Sequence, residues 1–145
     1  MINIAIGSDH KGFLHKNKII SCITNNNDIF IKDFGTFSEN EPVDYPDIVH
    51  PIAKNIINNK FNFGVILCGT GNGVAITANK YKHIRAAICW NHDITLLSRK
   101  HNNANICCIP AKFIPLEIVA SIVCTFIKCN FEYGRHLNRI KKIEI

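Results

Sequence analysis

Residues 63–73 constrain the fold more than any other stretch of the chain. Phe63-Gly64-Val65-Ile66-Leu67 is a continuous apolar run, the mark of a β-strand buried on both faces. It leads directly into Cys68-Gly69-Thr70-Gly71-Asn72-Gly73. Glycines at 69, 71 and 73 let the backbone turn sharply and approach a ligand closely. A buried strand, a glycine turn and a following helix make one unit of a parallel α/β sheet.

The rest of the chain reads as more of the same unit. Ile2 to Ile6 ends at Gly7 and suits a first buried strand. Residues 12–24 carry Phe13, Leu14, Ile19, Ile20 and Ile23 and read as an amphipathic helix, which Asn25-Asn26-Asn27-Asp28 breaks. Ile29-Phe30-Ile31 is a short second strand, and Phe34 to Pro46 is a loop punctuated by Gly35, Pro42 and Pro46. Ile48, Val49, Ile52, Ala53, Ile56 and Ile57 form a helical stripe before the buried strand at 63–67. A short helix is expected over 74–80, a strand over Arg85 to Cys89, and a polar helix over 92–101 with Leu96 and Leu97 inward. Ile106 to Ile109 is the fifth strand, and Pro115 to Cys129 is a long apolar helix with Pro115 in its first turn. From about residue 131 the tail is basic and helical. Strands alternating with helices predict a doubly wound sheet of about five parallel strands, and one domain covering residues 1–145. In such sheets ligands bind beyond the carboxyl ends of the strands. The loops at 7–12, 33–46, 68–73, 90–92 and 110–113 are therefore where function is expected.

Composition narrows the function classes. Hydrophobic residues at 47% and charged residues at 19% argue against disorder and coiled coil. No apolar run approaches the roughly 18–20 residues of a membrane span, and Met1-Ile2-Asn3-Ile4-Ala5-Ile6-Gly7 has no basic start or signal-type apolar core. A cytosolic protein without a membrane partner is expected. The seven cysteines, at 22, 68, 89, 107, 108, 124 and 129, contain no Cys-x-x-Cys pair, so neither a zinc ribbon nor a thioredoxin motif is indicated. Apart from Cys68 they read as small buried hydrophobes in a reducing compartment. The net charge of +6 is spread along the chain, and an anionic small substrate accounts for it at least as well as nucleic acid does.

Several residues are candidates for chemistry. Successive N–H groups in the 69–73 turn, backed by a helix start, form a site for an anion. The Gly-x-Gly-x-Gly spacing and the position on the third strand do not fit a dinucleotide fingerprint, and no Lys-Ser/Thr follows to make a Walker loop. Cys68 opens the turn, where a thiol can serve as nucleophile or base, or can simply be one more buried cysteine. In Ser8-Asp9-His10-Lys11-Gly12, Asp9 can hold a hydroxyl or cap a helix, and His10 can hold an anion. Arg135 and Arg139 stand four residues apart, so on a helix they share a face as a phosphate clamp or as a solvated basic surface. His101, in His101-Asn102-Asn103, is placed as a proton shuttle or as a surface helix end.

Taken in order, these residues resemble the type B ribose 5-phosphate isomerase family, which also holds galactose 6-phosphate and allose 6-phosphate isomerases. The matching pieces are Gly-Ser-Asp-His-Lys-Gly at 7–12, Asp44-Tyr45-Pro46, Cys-Gly-Thr-Gly-Asn-Gly at 68–73, Ala-Asn-Lys at 78–80, Arg-Ala at 85–86, Ser-Arg-Lys-His-Asn at 98–102 and Gly-Arg-His-x-x-Arg at 134–139. The resemblance implies a Rossmann-like three-layer α/β/α sandwich with a five-stranded parallel sheet. It also implies a homodimer or dimer of dimers with shared active sites, a sugar-phosphate substrate, and neither cofactor nor metal. The implied reaction interconverts ribose 5-phosphate and ribulose 5-phosphate through a cis-enediolate, in the non-oxidative pentose phosphate pathway.

The resemblance further implies roles for single residues. Cys68 is the base that moves the proton between C1 and C2; some relatives use a Glu just after the glycine loop, where this chain has Val74. Gly69, Thr70, Gly71, Asn72 and Gly73 hold the enediolate oxygens. His101 opens the furanose ring with help from Asp9, Asn102 binds a hydroxyl, and Tyr45 lines the sugar site. His10, Arg135 and Arg139 hold the phosphate. Many relatives carry Gly-Ser-Arg after the fifth strand, whereas this chain has Pro110-Ala111-Lys112. Lys112 keeps the charge and loses the bidentate fork. Three other readings compete: an isomerase of a 6-phosphohexose, a non-catalytic sugar-phosphate sensor, and a flavodoxin-like nucleotide binder.

Overall fold

The computed structural model describes residues 1–145. Strand β1 (Ile2–Ser8) leads through a 3-10 turn at His10–Gly12 into helix α1 (Phe13–Ile23). Then follow β2 (Ile29–Asp33), α2 (Tyr45–Ile57), β3 (Phe63–Cys68), α3 (Asn72–Ala78), β4 (Ala86–Ile88), α4 (His92–Asn102) and β5 (Ile106–Pro110). Two further 3-10 turns, at Ala111–Phe113 and Leu116–Ile118, lead into α5 (Val119–Lys128), and α6 (Arg135–Lys141) closes the chain. All four strand pairings are parallel, in the order β2-β1-β3-β5-β4.

Alternation along the central strands splits the core into two layers. Ile4, Ile6, Val65, Leu67, Cys107 and Ile109 pack with Ile19 and Ile23 of α1 and Ile122, Val123 and Phe126 of α5. On the opposite face Ala5, Ile66, Cys68, Ile106 and Cys108 pack with Val49, Ile52 and Ala53 of α2 and Val74 and Ala78 of α3. Helices therefore cover both faces of one five-stranded parallel sheet, which is the expected α/β/α sandwich. The central strands β1, β3 and β5 are buried on both sides, so their sequences are nearly continuous apolar runs. Strand β2, at the edge, alternates with solvent: Phe30 and Lys32 are exposed.

Several expected elements differ in detail. Helix α2 starts at Tyr45, inside the expected loop, because Pro46 fits a first helical turn; Pro51 lies within the helix. The helix after β5 begins at Val119 and not at Pro115, with a 3-10 turn between them. In α4 the inward positions are Thr95, Ser98 and Arg99, and Leu97 is exposed. Arg99 goes inward because partners satisfy its guanidinium: Nε donates to the Cys129 carbonyl at 3.2 Å, Nη1 donates to Asn103 Oδ1 at 2.9 Å, and the plane lies over Phe63. In α1 the apolar Leu14 is exposed and the charged Lys16 is buried. Lys16 Nζ pairs with Asp33 Oδ2 at 2.6 Å and donates to the Thr36 carbonyl at 2.7 Å. Apolar periodicity does not reveal a buried cation whose partners come from a distant strand and loop. Of the cysteines, 68, 89, 107 and 108 are buried, while Cys22 is exposed and Cys124 and Cys129 are half-buried; all seven are free thiols.

The chain leaves β1 toward β2 on one side and returns through α2 to β3 on the other. The connections thus part above β1 and β3, leaving a crevice at their carboxyl ends. Gly12 keeps that crevice tight, since a Cβ there would stand 2.7 Å from Leu67 Cβ. No helix of the chain is long and apolar enough to cross a membrane.

Candidate active site

The crevice is a cavity of about 710 Å³. Asp9, His10 and Lys11 line it from the turn after β1, and Cys68, Gly69, Thr70 and Gly73 from the loop after β3. Val43 to Asp47 form the wall at the start of α2, and Lys112 enters from the turn after β5. The sequence reading supplied Asp9, His10, Tyr45, Cys68, Gly69, Thr70, Gly73 and Lys112. It gave no role to Lys11, Val43, Asp44, Pro46 or Asp47. Lys11 stands beside His10 in the sequence; Val43, Asp44 and Pro46 fall in the expected loop at 34–46 and Asp47 just after it, and only the early start of α2 turns that segment into a wall.

At the cavity floor Cys68 is 5% exposed, and its Sγ accepts a hydrogen bond from the Gly71 N–H at 3.1 Å. That bond requires the loop to curl back on itself. Gly71 does so with φ +74, a left-handed conformation that other residues enter at a cost. A Cβ on Gly71 would also meet Ile88 Cγ2 and the Pro110 nitrogen, both at 3.3 Å. Thr70 is exposed, and its Oγ1 accepts from the Asn72 N–H at 3.2 Å. Gly71 and Asn72 do not line the cavity. Gly73 is where Tyr45 rests: a Cβ there would stand 2.5 Å from the ring's Cζ. The loop thus fixes a sulfur, a hydroxyl and a phenol ring around one opening.

Asp9 is buried, and of its expected parts the structure shows the cap. Its Oδ1 accepts from the Lys11 and Gly12 N–H groups at 3.0 and 3.1 Å, capping the 3-10 turn, while the side chain lines the cavity. Nδ1 of His10 accepts from the Val43 N–H at 3.3 Å. That leaves its Nε2 as the protonated nitrogen, free to donate to a ligand. Lys11 and Lys112 stand side by side over Gly69, and the close Lys11 side chain and its charge hold the Lys112 ammonium below its ordinary pKa, with Asp9 acting the other way.

The remaining expected residues do not join this cavity within one chain. His101 and Asn102 end α4, and Arg135 and Arg139 project from α6. His101 stacks on His136 with centroids 4.2 Å apart and planes 13° from parallel. Glu132 Oε2 stands 4.0 Å from Nε2 of His101 and 3.9 Å from Nε2 of His136. Burial first, then His101, Arg135 and Arg139, hold the His136 imidazole below its ordinary pKa, against Glu132. Arg135 and Arg139 are both exposed on α6, four residues apart, as a clamp needs. Asn102 lines a second, smaller cavity of about 360 Å³ with Asn79, Arg85 and Ile143. The expected residues therefore form two groups, one around Cys68 and one around His101 and α6.

His101, Glu132 and His136 also bring three ligand-type atoms within 4.8 Å of one another. The two rings are nearly parallel, so their nitrogen lone pairs run side by side and do not converge on one ion. The cations of α6 and Lys100, which is 3.3 Å from Glu132, make the spot electropositive. The group suits an anion better than a metal.

Comparison with known proteins agrees with this geometry. The model of the ribose/galactose isomerase family matches residues 4–143. Ribose-5-phosphate isomerase B of Escherichia coli is 34% identical, covering 99% of this chain and 95% of the relative. A probable ribose-5-phosphate isomerase B of Mycoplasma genitalium is 40% identical, covering 97% and 93%. The crystal structure of a ribose 5-phosphate isomerase from Thermotoga maritima superposes with a TM-score of 0.94 at 45% identity, covering 99% of this chain and 97% of that one. The Mycoplasma genitalium ribose-5-phosphate isomerase B with bound ribulose-5-phosphate superposes with a TM-score of 0.91 at 36% identity, covering 98% and 93%. With the family model spanning residues 4–143 and relatives 34–40% identical over nearly the whole chain, the chain belongs to the ribose/galactose isomerase family.

Proposed function

We propose that this chain is a ribose 5-phosphate isomerase that interconverts ribose 5-phosphate and ribulose 5-phosphate through a cis-enediolate. The observation that carries this reading is the Gly71 N–H on Cys68 Sγ at 3.1 Å, at the floor of a cavity that is rimmed by lysines. The C2–H of an open-chain aldose is only weakly acidic. A base can remove it if the negative charge that develops on O1 meets preorganised donors. Cys68 takes the proton from C2 and returns it to C1, while a second proton passes from O2 to O1. Gly69, Thr70, Gly71, Asn72 and Gly73 hold the oxygens, through main-chain N–H groups and the Thr70 hydroxyl. Tyr45 lines the sugar site, and Asp9 binds the ring oxygen or hydroxyls. The phosphate does not react, so its binding energy serves to hold the sugar in place.

The two groups of residues support a homodimer in which each site draws on both chains. His101, Asn102, Arg135 and Arg139 of one protomer would complete the Cys68 cavity of its partner. His101 then opens the furanose ring, Asn102 binds a hydroxyl, and His10, Lys112, Arg135 and Arg139 hold the phosphate. Free thiols at all seven cysteines fit the reducing cytoplasm. Coupled assays on ribose 5-phosphate, allose 6-phosphate and galactose 6-phosphate test the reading. Turnover is expected to be highest on the pentose. Turnover confined to a hexose would reassign the substrate, and binding without turnover on any sugar would indicate a sensor.

A further inference from the structure

We propose that Lys11 and Lys112 act together as one two-pronged cation that takes the phosphate group of the substrate, which makes Lys11 a specificity-determining residue. The inference relies on the isomerase reading for the identity of the substrate, and on geometry alone for the anion site. Lys11 comes from the turn after β1 and Lys112 from the turn after β5, on opposite sides of the strand that ends in Cys68. Their stems converge over a single residue. A Cβ on Gly69 would stand 3.2 Å from Lys11 Cδ and 3.4 Å from Lys112 Cδ. The missing side chain of Gly69 is therefore what lets both stems lie across the loop. The Lys112 N–H also donates to the Gly69 carbonyl at 3.0 Å, tying the β5 turn to the loop.

Two ammonium groups held side by side repel each other unless an anion joins them. Neither lysine takes part in an ion pair within the chain. Asp9 is near enough to act on Lys112, but it forms an ion pair with neither lysine. The other cavity carboxylates, Asp44 and Asp47, come from the start of α2 and pair with neither lysine. The cavity thus carries two cations over Gly69 and two carboxylates from a separate element. A phosphate dianion can give each ammonium its own oxygen, and the hydroxyl-bearing end of a sugar then faces the carboxylates.

Inorganic phosphate is the probe, because it reports the anion site without requiring turnover. Its Kd is measured by titration calorimetry at low ionic strength for the wild type, Lys11→Met, Lys112→Met and Lys11→Arg, alongside KM and kcat on ribose 5-phosphate. Both residues are exposed, so the variants keep the fold. Each Met variant is expected to raise the phosphate Kd and the KM about ten-fold, as the loss of a charge-assisted hydrogen bond does, with kcat moving less. Lys11→Arg is expected to restore most of both. Should Lys11→Met leave Kd and KM unchanged while the wild type turns over the pentose, the pair is overturned and the isomerase reading stands. Should Lys11→Met weaken phosphate binding in a protein that turns over no sugar phosphate, the anion site stands and the isomerase reading falls.

Discussion

The main-chain N–H of Gly71 points at Cys68 Sγ from 3.1 Å, three residues along one tight loop. A donor so placed meets the sulfur at rest and can shift to an oxyanion as the proton moves to sulfur. The left-handed Gly71 is what aims it. Gly71→Ala should therefore cost about 1–2 kcal/mol of stability through backbone strain and should depress kcat more than KM. Urea unfolding and steady-state kinetics on the same preparation check both parts.

The Tyr45 ring needs Gly73. With a Cβ only 2.5 Å from the ring, Gly73→Ala must push the tyrosine out of the wall. We expect weaker sugar binding, while the buried Cys68 stays in place. Alanine at 73 together with Tyr45→Phe should behave like Gly73→Ala alone, and this is read from KM.

Lys16 is a structural cation. Replacing it with Ala leaves Asp33 beside a buried gap, and breaking such a pair costs about 3–5 kcal/mol. Asp33 Oδ1 also accepts from the Gly35 N–H at 2.8 Å. Thermal unfolding should show the loss in Lys16→Ala, with much of it recovered in Lys16→Met plus Asp33→Asn.

These three predictions show what the sequence carries and what it does not. The central strands were legible because burial on both faces leaves only apolar residues, and the glycine loop because its residue types admit few other uses. Lys16 and Arg99 escaped notice, since a buried cation is recognisable only once its distant acceptors are placed around it. The start of α2 was hidden by Pro46, which reads as a loop breaker and also fits the first turn of a helix. The two groups of site residues were named from motifs, but their separation within one chain is a property of the topology.

That separation predicts complementation. If each site uses Cys68 of one protomer and His101 of its partner, Cys68→Ala and His101→Ala chains are each inactive alone. Co-expressed, they form mixed dimers with one intact site, and random pairing gives about a quarter of wild-type activity. A mixture no more active than its components would place both residues in the same chain's site.

His136 supplies a pH dependence. Burial and nearby cations hold its folded-state pKa below the ordinary value. On acidification the unfolded chain binds this proton first, so stability is complete above the ordinary imidazole pKa and falls as pH drops toward the lower folded one. Chemical denaturation between neutrality and mild acid should show this fall, and His136→Asn should remove its share.

His101 is tested by ring opening. A histidine that protonates the furanose oxygen matters for ribose 5-phosphate, which is mostly cyclic in water. Erythrose 4-phosphate cannot form a phosphate-bearing furanose. His101→Asn should be slow on the pentose phosphate and much less affected on the tetrose. Equal losses on both would move His101 from ring opening to binding or to the proton transfer itself.

The most direct measurement is the formation of ribulose 5-phosphate from ribose 5-phosphate by wild type and Cys68→Ala side by side, with substrate affinity measured calorimetrically for both. Removing the base should lower kcat at least about a hundred-fold and leave affinity within a few-fold, because the phosphate contacts survive. Near-normal turnover by purified Cys68→Ala, with wild-type contamination excluded, would contradict the account.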